Sequence, residues 1–396
     1  MTHVLIVNQH GDNRGDEAAL RGCIEGLSSR LPDARFTVLH QFFSPASKID
    51  PGVPIDYFPL KLPLVEAARF AVAATLHRFG LRWARALAGP LGRRMIDAYD
   101  DADLILSAPG GPYFGDLYAG HEIVHWFYAW LGSGRGTPLV LAAPSAGPFD
   151  HRLLNPVRRR GFRMFDRVIV REDRSAEMLR AFLPGLDVEV TADAALQQRV
   201  TVDDHPIGAT AADDLATVVV AVRDPGTDLR AGHDDAVVHA VNQLAARTPL
   251  SVHFLPQLHG PRHQDMPYLQ GLADRIRADR VAVVTDDVSS TGHRALIAAA
   301  DLVVAGRYHP AVFSVSSATP VVVLPYEHKA HGLAEAAGIG RWTRDVADVD
   351  ADSLTALVLD AWEHRDEQRE ILAATGPDLA YLSARTSEVA AGTVVR

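Results

Sequence analysis

Residues 301–329 read DLVVAGRYHPAVFSVSSATPVVVLPYEHK, and their alternation decides the fold. Leu302 to Ala305 is a short apolar run, as a strand buried on both faces requires. Gly306 to His309 interrupts it, Pro310 suits the first position of a helix, and residues 321–324 form a second apolar run. Strand, loop, helix and strand in this order make a βαβ unit, which builds parallel sheets.

The same alternation extends toward the N-terminus. Strand-like runs at 217–222, 251–255 and 281–285 precede 302–305 and 321–324, and an earlier series falls at 4–7, 36–39, 103–106, 139–142, 168–170 and 188–190. Between the two series lies the polar stretch 197–214, with Pro206 and Gly208, which reads as a domain boundary. The expected fold is α/β with two doubly wound domains facing a cleft: residues 1–200, residues 201–375 with the Arg-Tyr-His loop, and a tail or helix at 376–396. A chain of 396 residues is long enough to bury two such cores.

Composition narrows the function classes. At 47% hydrophobic and 22% charged the chain is ordinary globular protein. Cys23 is the single cysteine, so no intrachain disulfide can form, and its apolar neighbours Leu20, Ile24 and Leu27 predict a buried structural thiol. The start lacks a basic region and a long apolar run, and no stretch approaches 18 uninterrupted apolar residues, so a cytoplasmic protein is expected. A net charge of −10 opposes delocalised affinity for nucleic acid. Two stretches run against that charge. Residues 77–94, HRFGLRWARALAGPLGRR, set Arg78, Arg82 and Arg85 among Phe79, Trp83 and Leu87, and fit either a solvated helix face or weak association with the inner face of a membrane. Residues 158–167, RRRGFRMFDR, read as a surface helix leading into a strand. Oligomeric state leaves no mark in the sequence.

Ligands of doubly wound sheets sit at the carboxyl ends of strands, and four strand-to-helix loops there are unusual. In NQHGDNRGDE (8–17), Gly11 and Gly15 allow close approach of an anion to helix-start amides, while Asp16 and Glu17 can instead cap the helix. In SAPGGPYFGD (107–116), Gly110 and Gly111 follow a strand as a ligand platform or a tight turn would. Arg171 ends the strand of VREDRS (170–175) and faces the crevice. In AGRYHP (305–310), Arg307 and His309 lie two apart, so an extended backbone points both to one side. A guanidinium and an imidazole at a helix N-terminus suit a phosphate or carboxylate plus a proton-transfer group. A buried Arg–carboxylate pair beside a core histidine fits the same residues.

These loops occur in the order and spacing of the polysaccharide pyruvyl transferase family. NRGDEA (13–18), DLILSAPGG (103–111), AAPSAGPF (142–149), VIVREDRS (168–175) and residues 301–329 carry the resemblance, which covers about residues 4–340. The sequence departs from the pattern at Pro144-Ser145-Ala146, where the family shows Gln-Gly or a similar pair before Gly-Pro, a departure that bears on the acceptor. The resemblance implies two Rossmann-like domains similar to GT-B glycosyltransferases. It also implies transfer of a pyruvyl group from phosphoenolpyruvate to two sugar hydroxyls as a ketal. Arg171, Arg307 and His309 match the family's donor-binding and catalytic positions. The expected site is therefore His309 as the catalytic group, with Arg171, Arg307, Lys329, Asn13, Asp16, Gly110, Gly111 and Arg223 binding substrates. No cofactor beyond the donor substrate is demanded, and the partners are that donor and a sugar or glycan acceptor.

His121-Glu122-Ile123-Val124-His125 competes with this reading, because HExxH places two zinc ligands on one helix face. Its continuation WFYAWL reads as the apolar crossover helix of a βαβ unit, so packing is expected and a zinc hydrolase is the weaker reading. The same loops also fit a nucleotide-sugar glycosyltransferase, with Arg307, Lys329 and helix N-termini holding the diphosphate, or a non-catalytic anion- or sugar-binding protein. His259 and His263 follow a strand end and can reach the cleft.

Overall fold

The computed structural model describes residues 1–11, 13–41, 48–198, 215–259 and 264–394. Seven parallel strands form the first sheet, in the spatial order Ile55–Pro59, Arg35–Gln41, His3–His10, Leu104–Ser107, Leu139–Ala142, Arg167–Val170 and Val188–Val190. Five parallel strands form the second, in the order Arg280–Val283, Leu250–Phe254, Ala216–Ala221, Leu302–Ala305 and Val321–Val323. In each sheet the chain starts centrally, winds to one edge and then crosses to the other side. That reversal leaves a crevice beside the first strand, at the carboxyl ends. Residues 199–214, most of the stretch expected to hold the domain boundary, lie outside the described residues, as does His263.

Strand period 2 is visible in the packing. Leu5 and Val7 face a core with Phe70, Tyr99 and Trp126, while Val4 and Ile6 face another with Leu20, Ile24 and Ala390. Both faces of the sheet are thus covered, as parallel sheets require. Cys23 is buried in the second of these cores, and burial pushes its thiol up to about 12, which makes it unreactive at neutral pH. The C-terminal segment is helical: Arg365–Val394 packs Leu372 and Leu379 on the second domain and Ala390 and Ala391 on the first. Ser383 Oγ donates to the Asp193 carbonyl at 2.6 Å, which ties this helix to the loop after strand Val188–Val190.

Three strands escape the periodicity. Ile55–Pro59 is a half-exposed edge strand ending in proline, and Gly110–Phe114 pairs in parallel with Pro144–Ala146 in a ribbon of Gly and Pro residues that reads as loop. The Gly110-Gly111 platform is therefore a strand, in which Gly110 pairs with Pro144 at φ 131, a conformation suited to glycine. The basic stretch after residue 158 is also not a plain surface helix. Arg158 in helix Asn155–Phe162 is fully buried, with a bidentate bond to Glu122 (Nε to Oε1 3.0 Å, Nη2 to Oε2 2.8 Å) and a bond to Asp116 (2.6 Å).

Candidate active site

The loop after strand Leu302–Ala305 builds one side of the site. Helix Tyr308–Ser317 starts two residues before Pro310, with Arg307 as its extended N-cap. The helical turn sends Arg307 and His309 in different directions, so they do not share one side as an extended loop would have it. Arg307 pairs with Asp265 and hydrogen-bonds Tyr326. His309 turns toward the first domain, where a methyl group on Gly15 would lie 1.7 Å from its Nδ1. The glycine of NRGDEA is thus a gap that the imidazole fills.

The first domain supplies Arg171, at the carboxyl end of strand Arg167–Val170. Its Nε donates to Ser145 Oγ at 2.8 Å and its Nη1 to Asp193 Oδ2 at 2.5 Å. Asp193 Oδ2 in turn lies 3.8 Å from His309 Nε2. Tyr308 completes the junction, with the Arg171 guanidinium 4.5 Å and the Lys329 ammonium 5.7 Å from its ring centre. A second ring, Tyr326, carries Arg223 at 4.3 Å and Lys329 at 5.9 Å. Arg171, Lys329, Arg223 and Arg307 therefore line up across two tyrosines. Ser145, where the sequence leaves the family pattern, is buried, accepts from Arg171 Nε and donates to Glu172.

Carboxylates balance most of these cations. Asp193 serves Arg171, Asp265 serves Arg307, and Glu327 Oε2 lies 2.7 Å from Lys329 Nζ. Burial works against the Asp193 carboxylate, but Arg171 holds it below its usual range. Arg171 Nη2, Arg307 Nε and His309 Nε2 are buried without a hydrogen-bond partner, as are His328 Nε2 close by and, away from the junction, Trp126 Nε1 and Arg294 Nε. A ligand or water can satisfy such donors. A cavity of about 380 Å³ is lined by Arg171, Asp193 and Tyr308, and one of about 310 Å³ by Arg223, Tyr326 and Gly306.

Burial, with Arg171 and Lys329 nearby and only Asp193 opposing, pushes His309 down to about 3. Its ring is neutral at pH 7. His10 is likewise pushed down to about 3 and His40 to about 4, chiefly by burial. An unfolded histidine takes up a proton near pH 6.5, so between pH 6.5 and these values the unfolded chain binds more protons. Stability therefore falls as pH drops below 6.5, by up to about 1.4 kcal/mol per pH unit for each such histidine. A urea midpoint unchanged between neutral pH and about pH 5 would contradict this linkage.

The NRGDE loop does something the sequence did not suggest. Asn13 accepts from Gly15 N at 2.9 Å as the N-cap of helix Arg14–Ser28, and Asp16 is buried in its first turn with its carbonyl bonded to Gln9. Arg14 and Glu17, both fully buried, pair with each other and dock the second domain: Arg14 binds Asp287, and Glu17 Oε1 accepts from Ser290 N at 3.0 Å and Oγ at 2.8 Å. The loop thus joins the domains and sets Gly15 against His309. Gly15→Ala forces the imidazole aside, and a displacement of this order costs about 10²-fold in turnover if His309 takes part in the chemistry. Normal turnover of a folded Gly15→Ala protein would show that His309 placement is immaterial.

Helix Ala119–Gly132 buries only Glu122 and His125 of its HEIVH residues, and Ile123 and Val124 are exposed. Glu122 is taken by Arg158, His121 is exposed, and buried His125 Nε2 meets His10 Nε2 at 3.0 Å. The two histidines and the glutamate do not converge, and no group of three metal-ligating side chains occurs among the described residues. His259 lies at the domain junction, with Nδ1 3.5 Å from Asp287. Sequence reading also missed Asp193 and Asp265. Asp193 follows the end of strand Val188–Val190, so the rule that picked the other loops would have found it.

Two parallel-sheet domains that present the carboxyl ends of their strands to one another, with buried arginines and a histidine at the junction, define a two-domain enzyme of GT-B-like architecture. The family described as polysaccharide pyruvyl transferase matches residues 13–328, and the chain belongs to it; it is a transferase. It is 25% identical, over 92% of its length and 94% of the relative's, to the amylovoran biosynthesis protein AmsJ of Erwinia amylovora. In shape it is similar to MnaA of S. aureus, solved with UDP (TM-score 0.63, 12% identity, 98% of this chain and 94% of that one). It is also similar to HepE of Anabaena, solved with UDP and glucose (TM-score 0.61, 14% identity, all of both chains). No described helix is long and apolar enough to cross a membrane.

Proposed function

We propose that the protein transfers the pyruvyl group of phosphoenolpyruvate to two hydroxyls of one sugar in a polysaccharide or its precursor, releasing phosphate. The observation that carries this reading is the trio of buried, unpartnered nitrogens, Arg171 Nη2, Arg307 Nε and His309 Nε2, on loops of both domains. Two guanidinium donors suit the phosphate and carboxylate of the donor, because a planar fork binds each oxyanion directionally. Lys329 and Arg223 add positive charge around the tyrosine rings.

The reaction adds a proton to the enol methylene, making C2 electrophilic. One acceptor hydroxyl adds to C2 and loses its proton, the C2–O bond to phosphate breaks, and the second hydroxyl adds in its place. The two hydroxyl protons end on the methyl group and the phosphate, so the transfer balances without an outside oxidant or base. His309 is the proton carrier, and Asp193, 3.8 Å from its Nε2, stabilises the imidazolium when it forms. A biosynthetic role for the product accords with the relative named for amylovoran biosynthesis. The test is phosphate release from phosphoenolpyruvate in the presence of glycan acceptors, beside nucleotide sugars offered as donors. Turnover of nucleotide sugars alone would favour a glycosyltransferase instead.

A further inference from the structure

Helix Leu64–Arg78 buries only Phe70, Ala73 and Ala74. Its opposite stripe is apolar and bare: Leu64 is 86% exposed, Val65 71% and Val72 55%. The turn that follows leaves Phe79 73% and Trp83 63% exposed, and Leu87 in the adjoining helical segment Arg82–Ala88 is also exposed. The two pieces form one surface, since Arg69 Nε bonds the Leu87 carbonyl at 3.2 Å. An apolar patch of this kind on a folded domain marks an interaction site.

Charge identifies what covers it. Residues 61–94 hold seven Lys and Arg against one acid, Glu66, a local charge of +6 in a chain whose total is −10. Arg82, Arg93 and Arg94 are exposed, whereas Arg85 is exposed but paired with Asp97, just beyond this stretch, and Arg78 bonds Ser133 and stacks 4.6 Å from the Trp130 ring. A second copy on the same face would set +6 against +6, which repels. Exposed Trp, Phe and Leu ringed by arginines instead match an anionic lipid surface, where the rings enter the interface and the guanidinium groups meet headgroups. The helix follows edge strand Ile55–Pro59, at the opposite side of the sheet from strand Arg167–Val170, so the patch is separate from the site and leaves it open.

We propose that this face, helix Leu64–Arg78 with the segment through Arg94, docks the enzyme on an anionic bilayer, without any spanning segment. The experiment uses phosphatidylcholine vesicles with and without phosphatidylglycerol. Wild-type protein floats with the anionic vesicles at low salt and not with the neutral ones, and Arg82→Glu/Arg93→Glu/Arg94→Glu lowers the partition coefficient at least on the order of 10²-fold. Trp83 is the one exposed tryptophan of five, so brominated acyl chains in the vesicles quench fluorescence in wild type and much less in Trp83→Phe, which removes no buried contact and decides the matter even where the triple variant misfolds. Absence of wild-type flotation, equal quenching in Trp83→Phe, or a wild-type dimer that Phe79→Ser/Trp83→Ser separates would each overturn the proposal.

Discussion

His309→Ala lowers turnover with phosphoenolpyruvate on the order of 10²–10⁴-fold while changing donor affinity far less. His309 is pushed down to about 3 by burial and by Arg171 and Lys329, with Asp193 as the one opposing charge. An anionic donor reverses that field. Its phosphate and carboxylate offset the cations, the imidazole gains a proton on binding, and the group that was neutral becomes the acid that the methylene requires. Donor binding therefore takes up a proton near neutral pH and weakens as pH rises through the pKa of the complex, which calorimetry in buffers of different ionisation enthalpy measures. The same imidazole contributes little to folding through hydrogen bonding, since its Nε2 has no partner. Its removal leaves a small cavity beside Gly15 and no stranded charge. A stable His309→Ala protein with near wild-type turnover, or donor binding with no proton uptake, would remove the residue from the mechanism.

The parallel sheets were legible because buried strands announce themselves: Leu139–Ala142 and Leu302–Ala305 are unbroken apolar runs that match their observed bounds. The ribbon of Gly110–Phe114 with Pro144–Ala146 was not, since Gly and Pro carry no strand period and its pairing comes from tertiary contact. At the site, the residue types at strand ends were readable while their partners were not. Arg171 stands out at a strand end; that Asp193 neutralises it and also faces His309 depends on how two domains meet. The error over Arg307 and His309 is local, because a helix starting at Tyr308 rather than Pro310 turns one side chain away from the other. Arg14 and Glu17 show a converse limit. Their i, i+3 spacing reads as an ordinary helix start, and only docking against Asp287 and Ser290 makes them interdomain residues.

Arg171→Ala weakens donor binding and destabilises the fold together, and the two effects separate by a second substitution. Removing the guanidinium leaves the Asp193 carboxylate buried without its closest partner, which costs about 3–5 kcal/mol. Loss of a charge-assisted bond to the donor costs a further ~1.5–3 kcal/mol of binding, about 10- to 100-fold in affinity. Asp193→Asn removes the stranded charge, and the amide oxygen can still accept from Ala195 N, as Oδ1 does at 2.8 Å. The pair Arg171→Ala/Asp193→Asn should therefore regain much of the stability lost in Arg171→Ala, read from urea midpoints, while binding phosphoenolpyruvate as poorly as the single variant. Recovery of stability and of donor affinity together would mean that Arg171 serves only to neutralise Asp193. Recovery of neither would mean that Asp193 is needed for its charge toward His309, 3.8 Å away, rather than as a counterion to the arginine.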